Sequence, residues 1–414
     1  MAEIDKLFKL MVQQNASDMH LSAGTQPFFR IHGEMVGLNH AALENEAVQS
    51  LIFEILNEKQ KRNFLENWEL DTSYHVKGFG RFRVNVFMQR RGIGAVFRVI
   101  PEIIKSAKEL NLPRGIMDMI DTPRGLVLVT GPTGSGKSTT LAALIHEINI
   151  ARKEHIITIE DPIEFVHENK MSLINQREVS SHTKSFANAL KASLREDPDI
   201  ILVGELRDLE TIQLAMTAAE TGHLVFGTLH TNNAPKTVDR IIDVFPQAQQ
   251  SQIRTMLSES LRGVVAQTLF PRVDKPGRIA AYEILSNTHA VANLIREGKT
   301  HQIPSIMQTQ MDAGMMTFDF HLGKLVKEGK VDKDMADVFL GKKTKKAEEE
   351  GTNAAAAGVG TGSNIKITSY DQKPAGGGAA PGLRPVGQGG ARPAAGGAQP
   401  QQSGILGGIL KRKP

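Results

Sequence analysis

The chain contains no cysteine among its 414 residues. This absence excludes disulfide bonds and zinc sites built on thiolates, and it agrees with a cytoplasmic location. A run of about 18 apolar residues is also missing, so we expect no transmembrane helix. Residues 1–15 alternate charged and apolar residues at helical spacing, unlike the unbroken apolar region of a secretory signal. We therefore expect any membrane contact to be peripheral and to go through partners.

The body of the chain lacks an excess of positive charge, although the whole chain has a pI near 9.0 and a net charge of +4. Residues 351–414 carry a net charge of about +6, which leaves about −2 for residues 1–350. A protein that binds nucleic acid more usually carries its basic residues on the folded domain, so we expect no direct contact with nucleic acid. Residues 342–414 are rich in glycine, alanine and proline, and this composition predicts a disordered tail.

Residues 1–100 have the pattern of a small α+β domain. A helix is expected where apolar residues recur every third or fourth position, and a strand where they alternate with polar ones. These patterns predict helices over 3–14 and 47–67, a hairpin over 28–38, and strands over 80–88 and 94–100. The segment 101–123 is expected to link this domain to the rest of the chain.

From residue 124 the pattern changes to short apolar runs separated by helical stretches. Such runs are typical of buried parallel strands, and ligands bind at the carboxyl ends of those strands. We predict strands at 125–130, 156–159, 200–203 and 224–228. The result is an α/β domain over 124–341. After residue 250 it is predicted to be mainly helical, with helices over 251–269 and 290–297.

Residues 131–138 read GPTGSGKS, which matches the full phosphate-loop (Walker A) pattern. An apolar strand precedes the loop and a helix follows it, which is the context that the motif requires. The glycines let backbone N–H groups surround phosphate oxygens, while Lys137 would bind the β- and γ-phosphates and Ser138 would bind Mg²⁺. The sequence therefore predicts a site for a nucleoside triphosphate with its Mg²⁺ ion. The residues predicted to hold the nucleotide are Gly131, Thr133, Gly134, Ser135, Gly136, Lys137, Ser138 and Thr139.

Acidic residues follow two further predicted strands. The apolar run 200–203 leads to Glu205 in a pattern that resembles a Walker B strand, with Gly204 where many such motifs carry aspartate. Glu164 closes the acidic segment that follows the strand at 156–159. Hydrolysis needs a group that orients water and accepts its proton, and Glu164 and Glu205 are both candidates. Glu205 is also predicted to help hold the metal ion, whereas Asp161 is as compatible with a turn as with chemistry.

Two histidines lie at opposite ends of the strand predicted at 224–228. His230 is at the carboxyl end, on the ligand side of the sheet, and we predict that it senses the γ-phosphate. His223 is at the other end and is assigned to packing or coupling.

The sequence shows no evident arginine near the phosphate loop to stabilise transition-state charge. Multimeric ATPases often supply such an arginine from another domain or subunit. Arg83 and Arg98 lie on strands predicted in the N-terminal domain, on the face opposite the apolar residues. We consider both as candidates to face a nucleotide, with an ordinary surface role as the alternative.

Four motifs in order along the chain resemble those of the secretion ATPase superfamily. They are GPTGSGKS at 131–138, IITIEDPIEF at 156–165, DPDIILVGELRD at 197–208 and TGHLVFGTLHTN at 221–232. Further segments resemble the PilT-type retraction ATPases of type IV pili more closely. They are SDMHL at 17–21, NQREV at 175–179, MLSESL at 256–261 and AVANLIRE at 290–297. The resemblance covers nearly all of residues 1–341.

This resemblance implies a PAS-like α+β N-terminal domain followed by a RecA-like P-loop ATPase domain with a helical C-terminal part. It implies ATP and Mg²⁺ as cofactors and a homo-hexamer in which domains of neighbouring subunits pack together. Hydrolysis would then act on an inner-membrane platform protein from the cytoplasmic face and return pilin subunits to the membrane. An accessory paralogue of the PilU type is a further implied partner.

The resemblance also implies roles for individual residues. Arg83 and Arg98 would reach the nucleotide from the N-terminal domain, Glu164 and Glu205 would serve hydrolysis, and His230 would belong to the His box. One departure is Ala292, which stands where the retraction family usually carries arginine. The tail of about 70 residues is a second departure.

Other functions remain as alternatives. Pilus-extension and type II secretion ATPases resemble one another in carrying a four-cysteine zinc motif, which a chain without cysteine cannot have. An accessory PilU-like retraction ATPase is the nearest competitor. A RecA-like DNA translocase would explain the fold but not the acidic body. An assembly component that only binds nucleotide would be expected to lack a catalytic group, and the sequence shows none missing.

Overall fold

Two β-sheets organise the part of the chain that the structure describes. The computed structural model describes residues 2–31, 33–76, 79–100 and 103–342. The tail predicted to be disordered from residue 342 lies outside these ranges apart from its first residue.

The first sheet is antiparallel and is built from the N-terminal part of the chain. Its six strands are β1 (Asp18–Ser22), β2 (Phe28–Ile31), β3 (Glu34–Gly37), β4 (Glu69–Val76), β5 (Gly80–Gln89) and β6 (Gly92–Ile100). They lie in the order β3-β2-β1-β6-β5-β4, and every neighbouring pair is antiparallel. Three helices accompany the sheet, namely α1 (Asp5–Gln13), α2 (Asn45–Phe53) and α3 (Glu58–Asn67). The predicted α+β character is confirmed.

Aromatic rings form the centre of this N-terminal core. Phe8 of α1 is fully buried, and its ring stacks on Phe82 with centroids 4.2 Å apart and meets Phe97 edge-on at 5.2 Å. Phe82 and Phe97 point to the same face because side chains alternate along β5 and β6. The alternation in the sequence therefore predicted both the strands and the face that they bury.

The second sheet has seven strands and is mostly parallel. Its strands are β7 (Gly125–Thr130), β8 (His155–Glu160), β9 (Leu173–Glu178), β10 (Ile200–Val203), β11 (Leu224–Leu229), β12 (Leu261–Pro271) and β13 (Arg278–Ser286). They lie in the order β13-β12-β7-β11-β10-β8-β9, and only the β12–β13 pair is antiparallel. The four strands predicted from short apolar runs are confirmed, since β7, β8, β10 and β11 are parallel and buried.

Helices pack around this second sheet. They are α4 (Arg114–Ile120), α5 (Lys137–Ala151), α6 (Phe186–Ser193), α7 (Leu209–Glu220), α8 (Ala234–Asp243), α9 (Gln247–Ser260), α10 (His289–Arg296), α11 (Ile303–Thr309), α12 (Phe318–Lys327) and α13 (Lys333–Phe339). Helix α4 lies inside the segment 101–123 that the sequence assigned to a linker, and its Ile116 is fully buried. Within the described ranges, no helix combines the length and the apolar character that crossing a bilayer requires.

The single helix predicted over 47–67 is wrong, because the chain forms α2 and α3 with a break between them. The break is fixed by a capping box at Asn57. The Asn57 side chain accepts a hydrogen bond from the Gln60 backbone N–H, and the Gln60 side chain accepts one from the Asn57 N–H. Such a pair starts a new helix by satisfying donors that have no partner in its first turn.

The helix predicted over 251–269 is wrong from residue 261 onward. Helix α9 ends at Ser260, and β12 begins at Leu261 and pairs with β7 on one side and β13 on the other. The apolar residues of this segment have no spacing that separates helix from strand, so only the pairing decides. Strands β1, β4, β9 and β13 were also absent from the sequence prediction.

We predict that Phe8→Ala lowers the free energy of unfolding by about 3–5 kcal/mol, because it leaves a cavity between α1 and the first sheet. Phe320→Ala makes the same chemical change at a ring that is 48% exposed and is the matched control. Denaturation by urea measures both variants. Equal losses from the two would contradict the packing described.

Candidate nucleotide-binding site

The phosphate loop connects β7 to α5 at the carboxyl edge of the second sheet. Gly131 has a φ of +144° and Gly136 a φ of +90°, which side chains other than glycine rarely adopt. A Cβ on Gly131 would lie 2.2 Å from the carbonyl oxygen of Gln267. The loop therefore needs glycine for both its backbone conformation and its close contact with β12. It leads directly into the N-terminus of α5, where backbone N–H groups favour anions.

Gln267 braces the loop from the neighbouring strand β12. Its side-chain Nε2 donates to the Ser135 carbonyl oxygen at 2.6 Å, and its Oε1 accepts from the Thr140 hydroxyl at 2.8 Å. Gln267 is only 1% exposed, so both bonds form away from water. Sequence analysis missed this residue because it placed Gln267 in a helix. The phosphate-loop motif holds no information about which strand lies beside it.

Lys137 begins α5 and folds over the loop. Its Nζ donates to the carbonyl oxygens of Gly131 at 2.9 Å and Pro132 at 3.2 Å. Burial lowers the pKa of Lys137, and the carboxylates of Glu205 and Glu164 partly oppose this effect. Both predicted acids therefore lie close enough to influence the lysine of the phosphate loop.

Glu205 lies just after β10, and its carboxylate contacts the side chains of Arg207 and His230. Its Oε1 is 3.1 Å from Nε2 of His230, which follows β11, and its Oε2 is 2.7 Å from Nη2 of Arg207. Burial raises the pKa of Glu205, but Arg207 and His230 outweigh burial and hold the pKa below its ordinary value. The two strands pair in parallel, which places these residues side by side. Arg207 is an additional positive charge that sequence analysis did not single out.

Glu160 is the last residue of β8 and was not chosen as a candidate. Its Oε1 accepts from Thr158 at 2.7 Å and from Gln176 at 3.1 Å, and its Oε2 accepts from the backbone N–H of Glu164 at 3.4 Å. Burial raises the pKa of Glu160 to about 7 despite these bonds. A carboxyl group with such a pKa is suited to general base catalysis near neutral pH. Its signal in the sequence was its position at a strand end beside the acidic segment.

A cavity of about 40 Å³ separates α5 from the ends of β8 and β10. Ser138, Thr158, Glu160 and Thr228 are among its lining residues. Their hydroxyl and carboxylate oxygens are hard donors, which suit Mg²⁺. Within the described ranges, no group of three or more histidine, aspartate or glutamate residues forms a metal cage. The donor set therefore fits an ion that is held largely by substrate phosphates.

The two predicted arginines lie in the N-terminal sheet, directly opposite each other on β5 and β6. Arg83 lines a small cavity with Asp161 and Glu178. Arg98 is bound to Asp18, with Nε 2.7 Å from Oδ1, and its side chain is 67% exposed. Within one chain, Arg83 therefore lies beside the acidic segment, while Arg98 pairs with Asp18 of its own sheet.

His223 lies at the opposite end of β11 from the site. Its ring Nδ1 is 2.9 Å from the carbonyl oxygen of Ala218, and its own carbonyl accepts from the Gly125 backbone N–H at 2.9 Å. These contacts join the start of β11 to α7 and β7, and the assignment of His223 to packing or coupling stays a prediction.

The parallel sheet, the glycine loop and the surrounding acids define a P-loop nucleotide-binding protein. The chain belongs to the family of type II/IV secretion system proteins, whose model matches residues 2–361.

Individual relatives are similar over most of their length. The chain is 53% identical to the type IV pilus retraction ATPase PilT of Pseudomonas aeruginosa, covering 81% of this chain and 97% of the relative. It is 53% identical to a twitching motility protein of Neisseria gonorrhoeae, covering 77% and 85%. It is 42% identical to the type IV pilus ATPase PilU of Pseudomonas aeruginosa, covering 80% and 86%.

A solved structure shares the fold. The crystal structure of the pilus retraction motor PilT with bound ADP superposes with a TM-score of 0.76 at 47% identity. The match covers 81% of this chain and 96% of that one. The α/β architecture expected from the motifs is therefore confirmed at the level of the whole fold.

We predict that Gln267→Leu weakens nucleotide binding by about tenfold, because the Ser135 carbonyl and the Thr140 hydroxyl lose their buried partner. Gln249→Leu on the exposed face of α9 is the matched control. Titration with a fluorescent ADP analogue gives both dissociation constants. Unchanged affinity in Gln267→Leu would show that the loop keeps its shape without the brace.

We predict that Glu160→Gln removes a pH-dependent loss of stability. The folded pKa of Glu160 is about 7 and its ordinary value is 4.5, so the charged form is disfavoured in the fold. The wild type should lose about 3 kcal/mol relative to the variant as pH rises from 4.5 to above 7. Thermal unfolding of both proteins at pH 5 and pH 8 measures the difference. A gap between their melting temperatures that stays constant with pH would refute the assignment.

Proposed function

We propose that this chain is a motor ATPase that hydrolyses ATP to power the disassembly of type IV pili, and thereby twitching motility. Membership of the secretion family and the names of the similar proteins support this function. The structural observation that carries it is that the phosphate loop, Glu205 and His230 follow neighbouring parallel strands at one edge of the sheet, with Glu205 3.1 Å from His230. A triphosphate on the phosphate loop would lie among these groups.

The proposed site divides the work of hydrolysis among these groups. Backbone N–H groups of the loop and Lys137 bind the phosphates, and Mg²⁺ on Ser138 would neutralise phosphate charge. Glu164 and Glu205 orient water and accept its proton, and Glu205 also helps to hold the ion. We add Glu160 to these candidates because its pKa is matched to a proton acceptor.

The contact between Glu205 and His230 explains how the γ-phosphate could be sensed. His230 is half-exposed at the end of β11, and Glu205 holds its ring at 3.1 Å. A phosphate that approaches would compete with Glu205 for the imidazole, because both are anions. Arg207 would keep Glu205 neutralised during that exchange. Arg83 and Arg98 are proposed to complete the charge stabilisation when the N-terminal domain approaches the nucleotide.

The proposed assembly is a homo-hexamer at the cytoplasmic face of the inner membrane. Its N-terminal domain is 1–100 and PAS-like, its linker is 101–123, and its ATPase domain is 124–341. Its partner is the inner-membrane platform protein, with a PilU-like paralogue as a further partner. An accessory role of the PilU type is the second candidate, because PilU is also similar over most of this chain.

We predict that Lys137→Ala lowers ATP turnover about a hundredfold and weakens nucleotide binding, because the β- and γ-phosphates lose a charge. Glu205→Gln should lower turnover about a hundredfold while nucleotide still binds. Lys330→Ala and Glu328→Gln remove the same groups from an exposed ion pair and are the controls. Release of inorganic phosphate measures turnover. Undiminished turnover in either site variant would refute its assigned role.

Deletion of the gene in the source organism tests the direction of the motor. A retraction motor leaves pili that assemble and stay out, so we expect surface pili to accumulate and twitching to stop. Loss of surface pili would indicate extension instead. Continued twitching with the gene absent would indicate an accessory role.

A further inference from the structure

Glu178 is a buried carboxylate between the two sheets that the mechanism above does not use. It is the last residue of the edge strand β9 and lies beside Glu160 in the register of β8 and β9. The residue is only 4% exposed. A buried carboxylate of this kind is stable only when charged or polar donors surround it.

Part of its shell comes from the N-terminal sheet. Nη2 of Arg81 on β5 pairs with Oε2 of Glu178 and also donates to the Ser73 hydroxyl at 2.7 Å. The Ser73 hydroxyl on β4 in turn donates to Oε1 of Glu178 at 3.1 Å. Arg81 is itself largely buried, with 18% of its side chain exposed. Two neighbouring strands of the first sheet therefore hold one carboxylate of the second.

The rest of the shell comes from the ATPase domain. The backbone N–H of Ile163 donates to Oε2 at 3.1 Å, and the Ser181 hydroxyl donates to Oε1 at 3.0 Å. Ile163 immediately precedes Glu164 in the acidic segment. The next N–H, that of Glu164, donates to Glu160. The acidic segment is thus held by two carboxylates at the ends of neighbouring strands.

Arg81 and the Ile163 N–H bind the same oxygen of Glu178. If the N-terminal sheet moves away, Glu178 loses Arg81, its only described ion-pair partner, and the Ser73 hydroxyl, and its carboxylate is opened to water. Water then competes with the Ile163 N–H for the oxygen that Arg81 has left. This competition weakens the bond to Ile163 and frees the segment that carries Glu164.

We infer that Glu178 is a positioning residue that couples docking of the N-terminal domain to the placement of Glu164 for hydrolysis. The inference rests on the proposed function, because it takes Glu164 to act on the attacking water. Glu178 itself does not reach the phosphate loop in this role. When the N-terminal domain is docked, Glu178 holds the segment that carries Glu164 in one position. When that domain moves away, the segment is released.

The first test compares Arg81→Met with Arg177→Met in the full-length protein. Arg177 precedes Glu178 on the same strand and is similarly buried, but it pairs with Glu196 and not with the N-terminal sheet. We expect Arg81→Met to lower kcat about tenfold with KM for ATP within about twofold, and Arg177→Met to change neither. Arg81→Lys keeps the charge and should recover most of the loss.

Hydrogen exchange followed by mass spectrometry supplies a readout that does not depend on activity. We expect a peptide covering residues 160–166 to exchange about tenfold faster in Arg81→Met than in Arg177→Met. If Arg81→Met does not fold, Ser73→Ala removes one donor from the same shell and should show the same changes at smaller size. The inference would be overturned if the variant that folds, Arg81→Met or Ser73→Ala, showed the same exchange rate and the same kcat as Arg177→Met.

A Glu164→Gln variant separates this inference from the proposed function. Full turnover in Glu164→Gln would refute the role of Glu164 in hydrolysis, whereas the exchange comparison would still decide whether Glu178 couples the domains. If Glu164→Gln is impaired, adding Arg81→Met should lower its residual turnover by less than twofold, since both changes act through one segment. Independent, multiplying losses would count against the coupling.

Discussion

Parallel pairing of β7, β11, β10 and β8 is the constraint on which the rest of the structure depends. Parallel strands end at one edge of the sheet, and here each strand is followed by a chemical group at that edge. β7 delivers the phosphate loop, β10 delivers Glu205, β11 delivers His230, and β8 ends in Glu160. A change of register between β10 and β11 would separate Glu205 from His230, which now lie 3.1 Å apart.

The groups at this edge are also held by contacts from two other parts of the structure, the antiparallel hairpin of β12 and β13 and the N-terminal sheet. β12 lies beside β7, and its Gln267 fixes the shape of the phosphate loop through two buried hydrogen bonds. At the opposite edge strand of the same sheet, Glu178 at the end of β9 forms an ion pair with Arg81 of the N-terminal sheet. The phosphate loop and the acidic segment are therefore each held by a buried polar side chain from another strand.

Much of the site could be predicted, because its residues follow buried strands closely in sequence. Lys137 and Glu205 belong to local patterns, and His230 was found from its place at a strand end. Gln267 was missed because it acts on a loop that follows the neighbouring strand. Arg207 was missed because only its distance to Glu205 in the structure indicates a role for it. Residues 261–269 of β12 were predicted as helix because the spacing of their apolar residues does not distinguish the two structures.

The sequence by itself determined the kind of protein through a full phosphate-loop motif between a strand and a helix, acids after apolar strands, and a set of motifs in a fixed order. Each of these features depends on residues that are close together in the sequence, so it can be recognised without the fold. Only the tertiary structure decided which groups meet between the two sheets, as the Arg81 side chain and the Ile163 backbone N–H meet at one oxygen of Glu178. Arg81 and Glu178 are 97 positions apart, so no pattern in the sequence records their distance or their burial.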